Sequence, residues 1–145
     1  MTRYIIDASA YAPLIVIYGK DLIEKLRKIK FVILDLTIYE SCDAFWKEHA
    51  KLHRISRDEA LIACRAVKAL TRYVTLYRVI DLDVEEVMGI AIESNITFYD
   101  SSYIALALKL KSPIISEDRD IIAVAPKYGV KVIRLNQIID TFKQT

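Results

Sequence analysis

The sequence predicts an α/β fold in which a central parallel β-sheet of about five strands is flanked by helices. Short runs of β-branched residues recur along the chain, and the segments between them are long enough for helices. Parallel strands joined by helical crossovers give this alternation. Of the residues, 54% are hydrophobic and only 3 are Gly and 3 are Pro, which excludes disordered chains and turn-dense all-β folds.

Each element has its own signal in the sequence. The predicted strands are residues 4–6, 31–34, 78–80, 113–115 and 130–133. Capping boxes, in which a Ser or Thr is followed three residues later by an acid, predict helices that begin at Thr37, Ser56 and Thr97. Residues 103–108 are apolar on every side, which predicts a helix sandwiched inside the domain with Asp100 at its mouth.

The chain of 145 residues is predicted to form a single domain, residues 1–145, because no linker or repeat divides it. No apolar stretch approaches the roughly 18 residues that a membrane span needs, and Asp7 and Pro13 interrupt any N-terminal signal peptide. We therefore expect a cytoplasmic protein in which Cys42 and Cys64 are packed, reduced thiols. The net charge of +2 neither marks nor excludes a nucleic-acid binder.

Acidic residues follow the predicted strands, at the sheet edge where α/β proteins bind their ligands. They are Asp7, Asp35, Asp81, Glu117, Asp118 and Asp120. Carboxylates that converge at one edge repel one another unless a cation neutralises them. Oxygen ligands suit Mg²⁺ or Mn²⁺, and such ions favour phosphodiester hydrolysis. The three glycines stand far apart, which excludes dinucleotide-binding and P-loop fingerprints.

Each acid also has a purely structural explanation. Glu40 and Asp100 can close capping boxes, and Asp7 and Asp118 can cap the helices that follow them. Taken singly, these roles explain each residue without any active site.

Two other groups of residues are weaker candidates. His49 and His53 are four residues apart and could present two imidazoles to zinc from one helix, but no third ligand has suitable spacing. The basic residues between positions 25 and 30 could contact phosphate, although the solvated side of an amphipathic helix explains them as well.

Four motifs in this order resemble the PIN domain, and most closely the VapC-type ribonuclease toxins of toxin–antitoxin pairs. They are residues 5–9 (IIDAS), Glu40 after the second strand, residues 99–107 (YDSSYIALA) and residues 114–120 (IISEDRD). The resemblance covers nearly the whole chain. It departs at Ser101, where the family usually has Ala, and at Ser116, where it often has Thr; neither change removes a carboxylate.

The resemblance implies a metal-dependent endoribonuclease with a PIN-like fold. Its catalytic and metal-binding residues would be Asp7, Glu40, Asp100 and Asp118. The cofactor would be Mg²⁺, with Mn²⁺ as the alternative, and Asp120 is a candidate additional ligand. Ser9 and Ser116 are candidates for hydroxyls that orient the carboxylates. The family pattern does not use Asp35 and Asp81, which we interpret as loop or cap residues.

The resemblance also implies an RNA substrate, a cognate antitoxin and a homodimer. Tyr39 and Trp46 widen the apolar face of the helix that begins near Thr37, which favours an interface there, although a buried core helix explains them equally well. Three alternatives stay open: a PIN nuclease that is not a toxin, a catalytically silent PIN-like domain that only binds a partner, and a response-regulator receiver. A receiver needs an acid pair after the first strand, whereas Ala8 and Ser9 follow Asp7 here.

Overall fold

A five-stranded parallel β-sheet lies at the centre of the computed structural model, which describes residues 2–144. The strands are β1 (Arg3–Ile6), β2 (Lys30–Leu34), β3 (Thr75–Tyr77), β4 (Ile114–Ile115) and β5 (Val132–Ile133). Their order across the sheet is β3-β2-β1-β4-β5, and every neighbouring pair is parallel. This arrangement confirms the predicted fold class.

Helices cover both faces of the sheet. They are α1 (Ala8–Tyr18), α2 (Leu22–Leu26), α3 (Asp35–Ala50), α4 (Arg57–Leu70), α5 (Val84–Ser94), α6 (Phe98–Leu110), α7 (Arg119–Val124) and α8 (Leu135–Lys143). Successive strand residues point to opposite faces, so Ile6 packs with α1–α4 and α8, whereas Ile5 packs with α5–α7. Helix α6 is buried continuously from Ser101 to Ala107, as its all-round apolar sequence predicted. No helix within residues 2–144 combines the length and apolarity needed to cross a membrane.

The third strand does not lie where the sequence predicted it. Residues 78–80 were expected to form it, but the strand is Thr75–Tyr77, and Val79–Asp81 form a 3₁₀ turn. The Asp81 carboxylate accepts the Arg78 N–H at 2.8 Å, and Asp35 accepts the Val79 N–H at 3.3 Å. These two bonds satisfy backbone donors that a strand would otherwise pair with a neighbouring strand.

The capping boxes are only partly as predicted. At Ser56 the full box forms with Glu59. At Thr97 the side chain accepts the Asp100 N–H at 3.1 Å, which caps α6. The prediction at Thr37 is wrong: α3 begins at Asp35, and the Thr37 hydroxyl accepts the Leu34 N–H at 3.1 Å.

Helix α3 also ends earlier than a histidine pair would require. Its last residue is Ala50, and His53 lies beyond it with a φ of 52°. The two imidazoles therefore do not share a helix face. Nδ1 of His49 instead lies 3.0 Å from the carbonyl oxygen of Ile55. Both cysteines are free, with Cys42 partly buried and Cys64 exposed.

Candidate active site

The strand order reverses between β1 and β4, and this switch point lies at the carboxyl ends of the two strands. Open α/β sheets bind ligands at such a point. Asp7 follows β1 directly, and its N–H donates to the Ile115 carbonyl at the end of β4 at 3.2 Å. Asp118 comes three residues after Ile115 and caps α7.

A pocket of about 240 Å³ opens at this switch point, and we name it the acidic pocket. It gathers all four acids predicted from the sequence together with four further polar residues. Its polar lining consists of Asp7, Ser9, Glu40, Asp43, Lys47, Asp100, Tyr103 and Asp118. Strands β1 and β4 and helices α3 and α6 thus bring together residues that are far apart in the sequence.

Two serines hold the Asp7 carboxylate, which is only 4% exposed. The Ser9 hydroxyl donates to Oδ1 at 2.6 Å, and the Ser116 hydroxyl donates to Oδ2 at 2.5 Å. Each serine also accepts a backbone N–H from the loop after β4, from Glu117 at 2.8 Å and from Asp118 at 3.0 Å. The Asp7 side chain is therefore fixed in one orientation and tied to the loop that carries Asp118.

A chain of three hydrogen bonds fixes Glu40. The Leu34 N–H donates to the Thr37 hydroxyl, which lies 2.9 Å from the Tyr103 hydroxyl, and Tyr103 donates to Glu40 Oε1 at 2.9 Å. Since Tyr103 uses its proton on Glu40, Thr37 is the donor to Tyr103. Thr37 and Tyr103 are 0% and 1% exposed, so buried groups orient a carboxylate that faces the pocket.

Three carboxylates approach one another at the mouth of α6 and the start of α7. Asp100, Asp118 and Asp120 each offer one oxygen, and these oxygens lie within 4.8 Å of one another. Asp118 also caps α7, because its Oδ1 accepts the N–H groups of Asp120 and Ile121 at 2.9 and 3.1 Å.

The surroundings of Asp7, Glu40 and Asp100 disfavour ionisation of these three carboxyl groups. Burial raises the pKa of Asp7 from 3.8 to about 6, against the opposing effect of its hydrogen bonds. Burial, and then the charges of Asp118 and Asp120, raise the pKa of Asp100 from 3.8 to about 7. The pKa of Glu40 is also raised by burial, while the bond from Tyr103 lowers it. A bound cation would favour the ionised form of these buried carboxyl groups and neutralise the neighbouring charges that add to the shift at Asp100.

The remaining acids that follow strands lie outside the pocket. Asp35 accepts the N–H groups of Leu36 and Val79, and Asp81 forms the turn with Arg78. Glu117 forms an ion pair with Arg134 at 2.7 Å, and this pair lowers the pKa of Glu117.

The known relatives of this chain decide its family. No protein-family model matches the sequence. It is 38% identical over 121 residues to Exonuclease VapC9 of Pyrobaculum aerophilum, and the alignment covers 83% of this chain and 84% of that protein. The chain belongs to the VapC family of PIN-domain proteins.

Solved structures agree with this assignment. The crystal structure of PAE2754 from Pyrobaculum aerophilum superposes on this VapC-family chain with a TM-score of 0.76 at 29% identity, covering 99% of this chain and 91% of that one. A PilT N-terminus domain protein, SSO1118 from Sulfolobus solfataricus P2, gives a TM-score of 0.50 at 22% identity, covering 97% and 93%. The second likeness concerns the PIN fold alone.

Sequence reasoning about this VapC-family chain missed four residues that the structure places at the pocket or behind it. In α3, Thr37 lies three residues before Glu40, Asp43 lies three residues after it and Lys47 lies seven residues after it. Residues at these spacings lie on one face of a helix. Tyr103 lies three residues after Asp100 in α6 for the same reason. Helical spacing from a predicted acid is the signal that could have identified them.

Proposed function

We propose that this chain is a metal-dependent nuclease that hydrolyses RNA phosphodiester bonds and acts as the toxin of a toxin–antitoxin pair. The observation that carries the proposal is the convergence of Asp7, Glu40, Asp100 and Asp118 in one pocket at the switch point of the sheet. The name of Exonuclease VapC9 supports nuclease activity in this family.

The donor set of the acidic pocket fits a hard divalent cation. Its described lining offers carboxylate and hydroxyl oxygens and no imidazole or thiol. We propose that Asp7, Glu40, Asp100 and Asp118 hold Mg²⁺, or Mn²⁺ in its place, with Asp120 as an additional ligand. When bound, the metal supplies positive charge to the scissile phosphate and lowers the pKa of the water that attacks it.

The protein's own side chains fix the carboxylates and attract the substrate. Ser9 and Ser116 orient Asp7, and Tyr103 orients Glu40, so neither carboxylate has to reorganise when a ligand arrives. Lys47 lines the same pocket and pairs with Asp43 at 3.3 Å. Its ammonium, which remains largely exposed, offsets the repulsion between these acids and a polyanionic strand.

Two surface grooves adjoin the acidic pocket, and this geometry supports internal cleavage of a strand. One groove shares Ala8, Ser9 and Ala44 with the pocket. The other shares Glu40 and Asp43. Both grooves extend the surface available to a strand beyond the pocket, and removal of nucleotides from one end would not require this extra surface.

The groove between α1 and α3 also supports a role for an antitoxin. It has a volume of about 400 Å³, and its apolar lining includes Pro13, Val16, Ile17 and Phe45. An apolar helix face fits such a groove, and an Arg from the same partner segment could pair with the acids of the adjoining pocket. We propose that the antitoxin binds here and blocks access of RNA to the carboxylates.

We further propose that the chain works in the cytoplasm as a homodimer. Helix α5 presents an exposed apolar stripe of Val84, Met88 and Ile92, which are 50%, 47% and 73% exposed. Trp46 of α3 is also at the surface, at 50%. Apolar surface of this kind is typical of a protein interface.

Incubation of the purified protein with two labelled RNAs, one linear and one circular, tests the proposal. In Mg²⁺ or Mn²⁺ we expect both RNAs to be cut, because internal cleavage needs no free end. Excess EDTA should abolish cutting of both. Cleavage of the linear RNA alone would show that hydrolysis depends on a free end. Full activity in EDTA would refute the metal mechanism. The absence of cleavage of either RNA would favour a silent PIN-like domain.

A further inference from the structure

A second, apolar pocket lies beside the acidic pocket, and the mechanism above does not use it. It has a volume of about 220 Å³, and we name it the tyrosine pocket. Its apolar and aromatic lining consists of Leu34, Leu36, Tyr39, Val79, Phe98 and Tyr99. A shallower depression, lined by Tyr39, Tyr99, Glu40 and Asp43 among others, connects it with the acidic pocket.

Tyr39 and Tyr99 are placed by the same helices that place the acids. Tyr39 immediately precedes Glu40 in α3, and Tyr99 immediately precedes Asp100 in α6. Successive residues are turned by about 100° around a helix, so each helix directs an acid into one pocket and a tyrosine into the next. The exposed fractions of Tyr39 and Tyr99 are 74% and 59%, in contrast to the buried Tyr103.

The tyrosine pocket has the chemistry of a site for one flat aromatic ring. The only acid in its described lining, Asp35, already accepts the N–H groups of Leu36 and Val79. Its volume of about 220 Å³ is below the roughly 300 Å³ at which pockets for drug-sized ligands begin. An uncharged base suits this lining, whereas a phosphate beside the Asp35 carboxylate would be repelled.

We propose that Tyr39 and Tyr99 form a stacking subsite for one unpaired base of the strand whose phosphate occupies the acidic pocket. This inference rests on the proposed nuclease function and assigns its substrate as single-stranded nucleic acid. A base inside a duplex is paired and stacked and cannot enter the subsite, whereas aromatic side chains stack on unpaired bases of any sequence.

Binding measurements with two fluorescent probes test the subsite in buffer that contains Ca²⁺. One probe is a single-stranded RNA of ten nucleotides, and the other is the same backbone without its bases; gels check that the RNA stays intact. We expect Tyr39→Ala and Tyr99→Ala each to weaken RNA binding about tenfold and to leave abasic binding unchanged. Tyr39→Phe and Tyr99→Phe keep the ring and should bind normally, as should the control Tyr73→Ala outside the pocket.

Several results would overturn the subsite. The first is equal binding of both probes by the wild type, and the second is no binding of either probe. The third is an equal loss of RNA binding in the Ala and Phe variants. A changed molecular mass of the Ala variants in solution would instead assign the tyrosines to an interface between copies of the chain. Unchanged RNA binding and KM in Ala variants that still cleave would refute the subsite alone. Tyrosine-dependent binding without any cleavage would refute the nuclease function alone.

Discussion

Replacing Asp7 by Asn should stabilise the protein in metal-free buffer while it removes the activity. Asp7 is buried, and its pKa rises from 3.8 to about 6 in the folded chain. A shift of about 2 units corresponds to about 3 kcal/mol of unfavourable free energy once the folded carboxylate is ionised. Asn keeps the shape and can still accept the Ala10 N–H, but it carries no charge.

The sign of this effect follows from proton uptake. Between about pH 4 and pH 6, folding binds a proton at Asp7 because the folded pKa is the higher one, so stability falls as the pH rises through this window. The loss is complete above the folded pKa. Relative to wild type, the gain of Asp7→Asn should therefore be about 1.5 kcal/mol larger at pH 8 than at pH 5. For a chain of this size, this corresponds to about 3–6 °C in Tm.

Thermal unfolding in EDTA at the two pH values measures the difference, with Asp83→Asn as the matched control. Asp83 caps α5 at the surface through the same kind of bonds, to the N–H groups of Glu85 and Glu86 at 3.1 and 3.2 Å. Asn is as good a cap as Asp, so the control should change neither stability nor activity appreciably. Added Mg²⁺ should raise the Tm of wild type more than that of Asp7→Asn.

Two results would refute this reasoning. A Tm difference between Asp7→Asn and wild type that is the same at pH 5 and pH 8 would show that the carboxylate's charge is not the destabilising term. RNA cleavage by Asp7→Asn within about threefold of wild type, or about 0.65 kcal/mol in barrier height, would reduce Asp7 to a helix cap.

Further predictions concern the orientation of Glu40 and the antitoxin. Tyr103→Phe keeps the buried ring but removes the donor to Glu40, so it should reduce cleavage about tenfold and move the acid limb of the pH–rate profile to higher pH; an unchanged profile would contradict this role. Expression of the wild-type chain in its native host without the partner should arrest growth and that of Asp7→Asn should not, and harmless wild-type expression would refute the toxin role. Val16→Glu should abolish partner binding in pull-down assays and weaken cleavage much less, because Val16 lies about 12 Å along α1 from Ala8; retained binding would place the partner elsewhere.

The sequence predicted the sheet well where strands are buried on both faces and poorly at the β3 edge. Ile5 and Ile6 are both 0% exposed, and such fully apolar runs have a clear pattern. The edge strand β3 pairs only with β2, and Leu76 within it is 44% exposed. The Val79–Ile80 pair in the next segment looks equally strand-like, and a bond from the Val79 N–H to Asp35, 44 residues away, helps to hold it as a turn. Local patterns carry no information about that contact.

The candidate site shows a similar division. The positions of the acids after strands and early in helices can be predicted, because the carboxyl ends of parallel strands meet at one edge. Helical spacing places Thr37 near Glu40 and Tyr103 near Asp100, but the hydrogen bond between them could not be predicted, since they are 66 residues apart and meet only through packing of α3 against α6. Without the structure, Thr37 was interpreted as a cap and Tyr103 as part of the core.

The structure also shows why capping and catalytic explanations of an acid could not be separated in the sequence. A carboxylate has two oxygens, and a helix cap needs only one of them. The α7 cap uses Oδ1 of Asp118 and leaves Oδ2 for the pocket, and the α1 cap uses Oδ1 of Asp7 while Ser116 holds Oδ2. At Asp83 the same cap is built on an exposed surface, outside the acidic pocket. The distinction therefore depends on what surrounds the second oxygen, and at Asp7 and Asp118 those surroundings are assembled from strands and helices remote in sequence.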